Sequence, residues 1–242
     1  VLLTLSSQRH FAPRRHRPRK PHEEYAYVLD YLPMGNPADK HPKHRTKPVV
    51  QLIGEDYFLL LEASPRHGAS LEIGERVYVG PIAEKRLKIF RVEAEIEYDD
   101  LTSFAKSMLP SIVEEIVRRK ERVFVEFFNI AGPITLRFHS LELLPGVGKK
   151  TVAKIIEARE REPFKSFEDI QERVHIDPVK VIAERIVEEI KGGQKYYLFV
   201  RPPRRERENV VPPLFLNYLG QIYERLGKQR EEEKEVYGEN KA

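Results

Sequence analysis

The stretch Gly146-Val147-Gly148-Lys149-Lys150 combines residue types and spacing that could do chemistry. It follows Leu143-Leu144-Pro145 and runs into Thr151, between a short apolar helix start at Ser140-Leu141-Glu142-Leu143 and an amphipathic run from Thr151 to Arg161. The order reads helix, tight turn, helix. Glycines on both sides of one valine let the backbone take positive φ and bring bare amides to the start of the second helix. Those amides lack intrahelical acceptors and lie at the positive end of the helix dipole, where phosphate oxygens bind. Lys149 and Lys150 add attraction for a polyanion. The chemistry expected of Gly146, Val147, Gly148, Lys149, Lys150 and Thr151 is capture of backbone phosphate without bond making, the bland alternative being a surface turn that needs its glycines for geometry alone.

Leu144-Pro145-Gly146-Val147-Gly148-Lys149 resembles the helix-hairpin-helix motif, apolar-Pro-Gly-apolar-Gly followed by a basic or small residue. Downstream, the segment from Ile155 to Ile170 is similar to the linker between paired units of that motif in DNA-uptake receptor and repair-protein domains. The resemblance implies a second hairpin, and Val174-His175-Ile176-Asp177-Pro178-Val179-Lys180 stands where it belongs. His175 and Asp177 occupy places where glycines are expected. Asp177 faces a phosphate badly, and Asp177 with Pro178 is an ordinary helix start. This copy is expected to be the weaker grip or purely structural, with Lys180 as its candidate contact. Some hairpins of this kind hold a monovalent cation on backbone carbonyls, and the resemblance extends that expectation here.

Catalysis is not expected. Hairpin-bearing glycosylases resemble this region, and their Asp would align with Asp169, but Ser166-Phe167-Glu168-Asp169 reads as a capping box. Without cysteine, iron–sulfur clusters, disulfides and thiolate zinc sites are excluded. Asp99-Asp100, as a divalent-metal pair, is better explained as charge at a helix N-terminus. His41-Pro42-Lys43-His44 has no completing carboxylate and fits a basic loop with Lys40, Arg45 and Lys47. No catalytic residue, metal or cofactor is therefore expected.

The elements that position these residues follow from composition and periodicity. The chain has 242 residues, 33% charged and 40% hydrophobic, with net charge +4 and pI near 9.1. That is enough apolar material for two small domains, and the Glu, Lys and Arg content is the balance reported for proteins from hot environments. No apolar run approaches a membrane span, so a soluble cytoplasmic protein is expected. Residues 1–22 form a basic arm, in which Arg14, Arg15 and Arg17 precede any acid and suit electrostatic contact with nucleic acid.

Residues 23–98 carry about five short strands, and the pattern fits a small OB-like β-barrel, with an SH3-like barrel giving much the same string. Lys88 and Arg91, with Tyr57, Tyr78 and Phe90, are its candidate contacts for stacked bases and phosphates. Residues 99–193 read as an all-α domain containing hairpins at 143–151 and 174–180, with a helix interrupted at Pro110 and restarted by the capping box Ser111-Ile112-Val113-Glu114. Arg118, Arg119, Lys120 and Arg122 read as its solvated face. In 194–242, Gln194 to Val200 reads as a strand returning to the barrel edge. A Pro/Arg linker follows, then an apolar helix over 211–226 that must dock on the barrel or on a protein partner.

The expected fold class is α+β, a small OB-like β-barrel followed by an all-α helix-hairpin-helix domain. From about Tyr25 to Val200 this combination resembles an uncharacterised archaeal family labelled RNA- or nucleic-acid-binding. Relatives in that family are encoded near a ribosomal-RNA dimethylase and an RNA polymerase subunit, so the resemblance implies RNA ahead of DNA. The expected function is non-catalytic nucleic-acid binding, the alternatives being a protein–protein assembly module or a DNA-binding repair or processing factor.

Overall fold

A computed structural model describes residues 22–37, 45–208 and 211–227. Arg14, Arg15, Arg17 and the His41-Pro42-Lys43-His44 segment lie outside the described residues. Five strands, β1 (Tyr25–Leu32), β2 (Val49–Gly54), β3 (Leu60–Pro65), β4 (Arg76–Tyr78) and β5 (Ile89–Glu95), form one curled antiparallel sheet in the order β4-β1-β2-β3-β5. The register slips between Val28 and Asp30 in β1, a bulge of the kind that bends a strand and sharpens its twist. The result is a half-barrel whose edges are β4 and β5. Arg86 spans those edges: its Nε donates to the Gly80 carbonyl at 2.7 Å and its Nη1 to the Phe90 carbonyl at 3.4 Å.

The central strands β1 and β2 are largely buried on both faces, which is why they read as nearly continuous apolar runs. Ala26, Val28, Val50, Leu52, Ala63, Val77 and Ile89 fill the concave side. Tyr27, Leu29, Ile53 and Leu60 point the other way, into a core shared with the helices. Those helices are α1 (Ser103–Arg119), α2 (Glu121–Ile130), α3 (Lys149–Arg161), α4 (Phe167–Val174) and α5 (Pro178–Lys191). Between α2 and α3 come a two-stranded hairpin, β6 (Pro133–Thr135) with β7 (Phe138–His139), and a 3-10 helix over Ser140–Leu143. Barrel and helices thus share one continuous apolar core.

Pro110 does not interrupt α1, contrary to the sequence expectation; it lies inside a single helix. Proline removes one backbone donor, and here it sits on the exposed side, where water can satisfy the carbonyl left without a partner. The apolar stripe Ile112, Ile116, Val123 and Phe127 is buried as its spacing predicts. On the polar side, Arg118 pairs with Glu114, Arg119 with Glu55 and Lys120 with Asp56.

A second correction concerns 194–200, which pairs with no strand of the barrel. Only β8 (Tyr196–Tyr197) is extended, and it pairs in parallel with β9 (Leu214–Phe215). The cause is Glu189 in α5, fully buried, whose carboxylate accepts the backbone N–H groups of Leu198, Phe199 and Val200 at 2.6, 2.9 and 2.8 Å. Those amides are unavailable to a sheet. Arg185, one turn earlier, donates from Nε to Glu189 at 2.8 Å and from Nη2 to the Tyr196 carbonyl. Burial pushes the Glu189 carboxyl up from its ordinary value, while Arg185 and the three amides oppose the shift.

After the short helix α6 (Arg204–Arg207), the last described helix, α7, covers 218–227. Part of its apolar face docks within the chain. Tyr218, Leu219 and Ile222 are buried, the Tyr218 ring lies edge-on to Phe127 at 5.0 Å, and Tyr218 Oη accepts the Gly132 N–H and donates to Ser140 Oγ, both at 3.0 Å.

Candidate nucleic-acid interface

Leu144, Pro145, Gly146 and Val147 make a tight turn in which the Val147 N–H donates to the Leu144 carbonyl at 3.0 Å. Proline in the second place and glycine in the third, with φ +74° at Gly146, give the type II geometry that their types predict. The apolar side chains of Leu141, Leu144 and Val147, all at most 4% exposed, anchor the turn to the core. Gly148 then caps α3 in extended conformation, φ −95°, with no side-chain acceptor of its own. The N–H groups of the first turn of α3 are left without intrahelical acceptors. A side-chain carbon built on Gly148 meets nothing within 4 Å, so the approach to those amides is open.

Lys149 and Lys150 are exposed and carry no ion pair among the described residues, and Thr151 is half-buried beside them. Val147 has a different part from the one its position suggests: its N–H closes the turn onto the Leu144 carbonyl and its side chain lies in the core. Upstream, His139 starts the 3-10 helix, and its Nδ1 accepts the Leu141 N–H at 3.1 Å. Burial, then the Arg159 charge, hold the imidazole below its ordinary pKa, which keeps it in the neutral form that can accept.

The second turn shares with the first a left-handed residue two places before an extended helix cap, with opposite chemistry. His175 takes the left-handed conformation, φ 65°, as Gly146 does; Ile176 follows as Val147 does; Asp177 caps α5 at φ −90°, as Gly148 caps α3. Here the Asp177 carboxylate accepts the Lys180 N–H at 3.0 Å, and Pro178 in the first helical place has no N–H to offer. The first turn of α5 is thus capped by a side chain of the protein itself. Lys180 extends its ammonium toward Glu184, 4.0 Å away.

The barrel candidates are mostly engaged. Lys88 Nζ lies 2.5 Å from Glu75, and Arg91 pairs with Glu93 at 2.5 Å. Tyr78 is buried, and Tyr57 is half-buried with its ring edge-on to Tyr223 at 5.5 Å. Phe90 alone of the three aromatics presents its ring, 59% exposed. Asp169 serves its own helix: its N–H donates to Ser166 Oγ at 3.0 Å and its carboxylate accepts from Arg173. Among the described residues no group of three His, Cys, Asp or Glu is placed to hold a metal, and no helix is long and apolar enough to cross a membrane.

Residues 22–201 match the family described as "Protein of unknown function (DUF655)". The chain belongs to the DUF655 family. Its sequence is 47% identical over 191 residues to "Uncharacterized protein MJ0038" of Methanocaldococcus jannaschii, covering 78% of this chain and 84% of that protein. The crystal structure of Af1531 from Archaeoglobus fulgidus, described with the same family, superposes on it with a TM-score of 0.66 at 47% identity, covering 74% of this chain and all of the other. The DUF655 match begins at the first described residue and ends beside the Glu189-bound segment, so it spans the half-barrel and both turns.

The sequence reading missed Glu189, Arg185 and Glu23. Arg185 and Glu189 sit one helical turn apart, a spacing that looks like a surface ion pair until the tertiary packing is known. Glu23, 5% exposed, accepts the N–H groups of Asp56, Tyr57 and Leu59 and so closes the β2–β3 connection.

Proposed function

We propose that this DUF655 protein is a non-catalytic nucleic-acid-binding protein, taking RNA ahead of DNA, that grips the phosphate backbone at the 144–148 turn. The observation that carries the reading is the contrast between two turns that each set a left-handed residue two places before an extended helix cap. One ends in Gly148, open and followed by two lysines without an ion pair among the described residues; the other is closed by its own Asp177. An anion can be held at the first through N–H groups, dipole and cations together. In this reading the paired turns are helix-hairpin-helix units, the second retained for packing.

The half-barrel is read as OB-like. In its strand order β1 lies between β2 and β4, and β3 pairs with β5, the neighbours of a Greek-key barrel; a plain meander would set β4 beside β3. The preference for RNA rests on the family resemblance, and the monovalent cation remains tied to the carbonyls of the first turn, with no part of phosphate binding routed through it. Cytoplasmic location belongs to the same reading.

The test is equilibrium binding of the full chain to matched single- and double-stranded RNA and DNA across a salt series. Binding should weaken steeply with salt, and Lys149→Ala with Lys150→Ala should lower the slope of log K against log salt by about two. No binding to any of the four at low salt would overturn the proposal.

A further inference from the structure

Close to the open turn in sequence, the fold brings a second group of residues to the surface. The β6–β7 hairpin carries at its tip Leu136, 106% exposed, and Arg137, which has no ion pair among the described residues. Next to the tip the half-buried ring of Phe138 meets the half-buried ring of Tyr196, centroids 5.6 Å apart and planes at 40°. The Lys195 ammonium lies 5.2 Å from the centre of the Tyr196 ring. Tyr196 also lines an open groove of about 430 Å³ with Lys195, Pro212 and Leu214. The adjacent Tyr197 is buried, its hydroxyl bonded to Glu206, so of two neighbouring tyrosines one serves the core and the other faces outward.

We infer that Phe138 and Tyr196, flanked by Leu136, Arg137 and Lys195, form a stacking platform for unpaired nucleobases, and that the ligand is a single strand whose backbone runs on to the Gly148 turn. The inference rests on the phosphate grip proposed above and names its substrate class. Exposed rings beside cations are the chemistry that holds unstacked bases, because every base has a π-face and every link a phosphate. A duplex hides its base faces and offers them nothing.

The geometry links platform and grip. Phe138 and Gly146 are separated by a 3-10 helix and a tight turn, so they lie no more than about 25 Å apart, a few nucleotides of extended strand. The closed second turn agrees: with Asp177 capping its own helix, the two described turns offer one open backbone grip for one strand, not two for a duplex. On the barrel, Tyr57 and Tyr78 are packed against other tyrosines, and the exposed ring of Phe90 has no second ring beside it among the described residues.

The experiment measures anisotropy of a labelled short RNA in three forms: single strand, duplex of the same sequence, and an abasic strand of equal length. Phe138→Leu with Tyr196→Leu keeps apolar volume and removes the rings. It should weaken single-strand binding about tenfold or more, leave the salt slope unchanged, and leave the weaker duplex binding where it was. Wild-type protein should bind the abasic strand as poorly as the ring variant binds the intact one.

If the double variant does not fold, Lys195→Ala and Leu136→Ser, both at exposed positions, carry the test with an expected loss of several-fold. The platform is overturned if a folded ring variant binds the single strand like wild type, or if wild type prefers the duplex. Loss of binding in Lys149→Ala with Lys150→Ala, beside an unaffected ring variant, removes the platform and keeps the grip. Unchanged binding in both variants removes both.

Discussion

Asp177 occupies with its own carboxylate the place that Gly148 leaves open at the start of the neighbouring hairpin's helix. Both residues are helix caps in extended conformation, at φ −90° and −95°, and only Asp177 brings an acceptor to the first-turn amides. Gly148→Asp should therefore convert the first turn into a copy of the second. Its φ is open to any residue and the space around it is empty, so the fold should tolerate the change and gain a few tenths of a kcal/mol from the new cap. Nucleic-acid affinity should fall at least tenfold through lost amides and charge repulsion. A melting curve beside a binding isotherm checks both halves, and an Asp variant that is stable and still binds tightly removes Gly148 from the interface.

Gly146 and His175 share a left-handed backbone, at φ +74° and 65°, and should respond in opposite directions. Gly146→Ala places a Cβ where L residues are strained and should cost about 1–2 kcal/mol, although no neighbour is hit. His175→Gly relieves the same strain and gains unfolded-chain entropy against it, so its net change should stay within about 1 kcal/mol. Urea melts of the two variants test the claim, and a stability loss for His175→Gly larger than that for Gly146→Ala contradicts it.

How much of this was readable before the structure depends on whether a residue's role is local. Pro145, Gly146 and Gly148 signal their turn because its geometry is set within four residues, and Asp177-Pro178 announces a helix start for the same reason. The five strands were legible from apolar runs bounded by turn residues. The Lys88 partner was not, because Glu75 meets it only when loop and strand are placed, whereas Glu93 lies two residues from Arg91 on one face of β5. Period-two alternation could not tell which of Tyr196 and Tyr197 faces the core. Nor could it foresee that Glu189, in a helix that looks amphipathic, would take the amides of 198–200 away from any sheet.

That role of Glu189 makes it the residue on which the C-terminal segment depends. Its removal frees three backbone donors and leaves Arg185, 3% exposed, without its buried anion. Glu189→Ala should destabilise the protein by about 3–5 kcal/mol. Hydrogen exchange gives the sharper readout. Amides of Leu198, Phe199 and Val200 should lose protection in the variant before the β1–β2 ladder does. Uniform loss across the molecule would show that the segment has no separate dependence on this carboxylate.

Glu23 sets the expected dependence on pH. Its carboxyl packs against Gly54 and burial raises its pKa to about 7, with the Asp56, Tyr57 and Leu59 amides opposing the shift. A folded-state value above the unfolded one means that the native protein holds this proton more tightly. The stabilisation is therefore complete below the unfolded value of 4.5 and is lost as pH rises through about 7. Unfolding free energy should fall across that window by at most about 3 kcal/mol, at about 1.4 kcal/mol for each unit between the two values. Glu23→Gln, which cannot titrate, should flatten the profile there. Gly54→Ala should abolish the packing outright, since a Cβ at that position would lie 2.0 Å from the Glu23 carboxyl carbon. Denaturant melts at the two ends of the window decide the matter: a wild-type profile as flat as that of the glutamine variant would mean that Glu23 stays ionised throughout, held by its three amides.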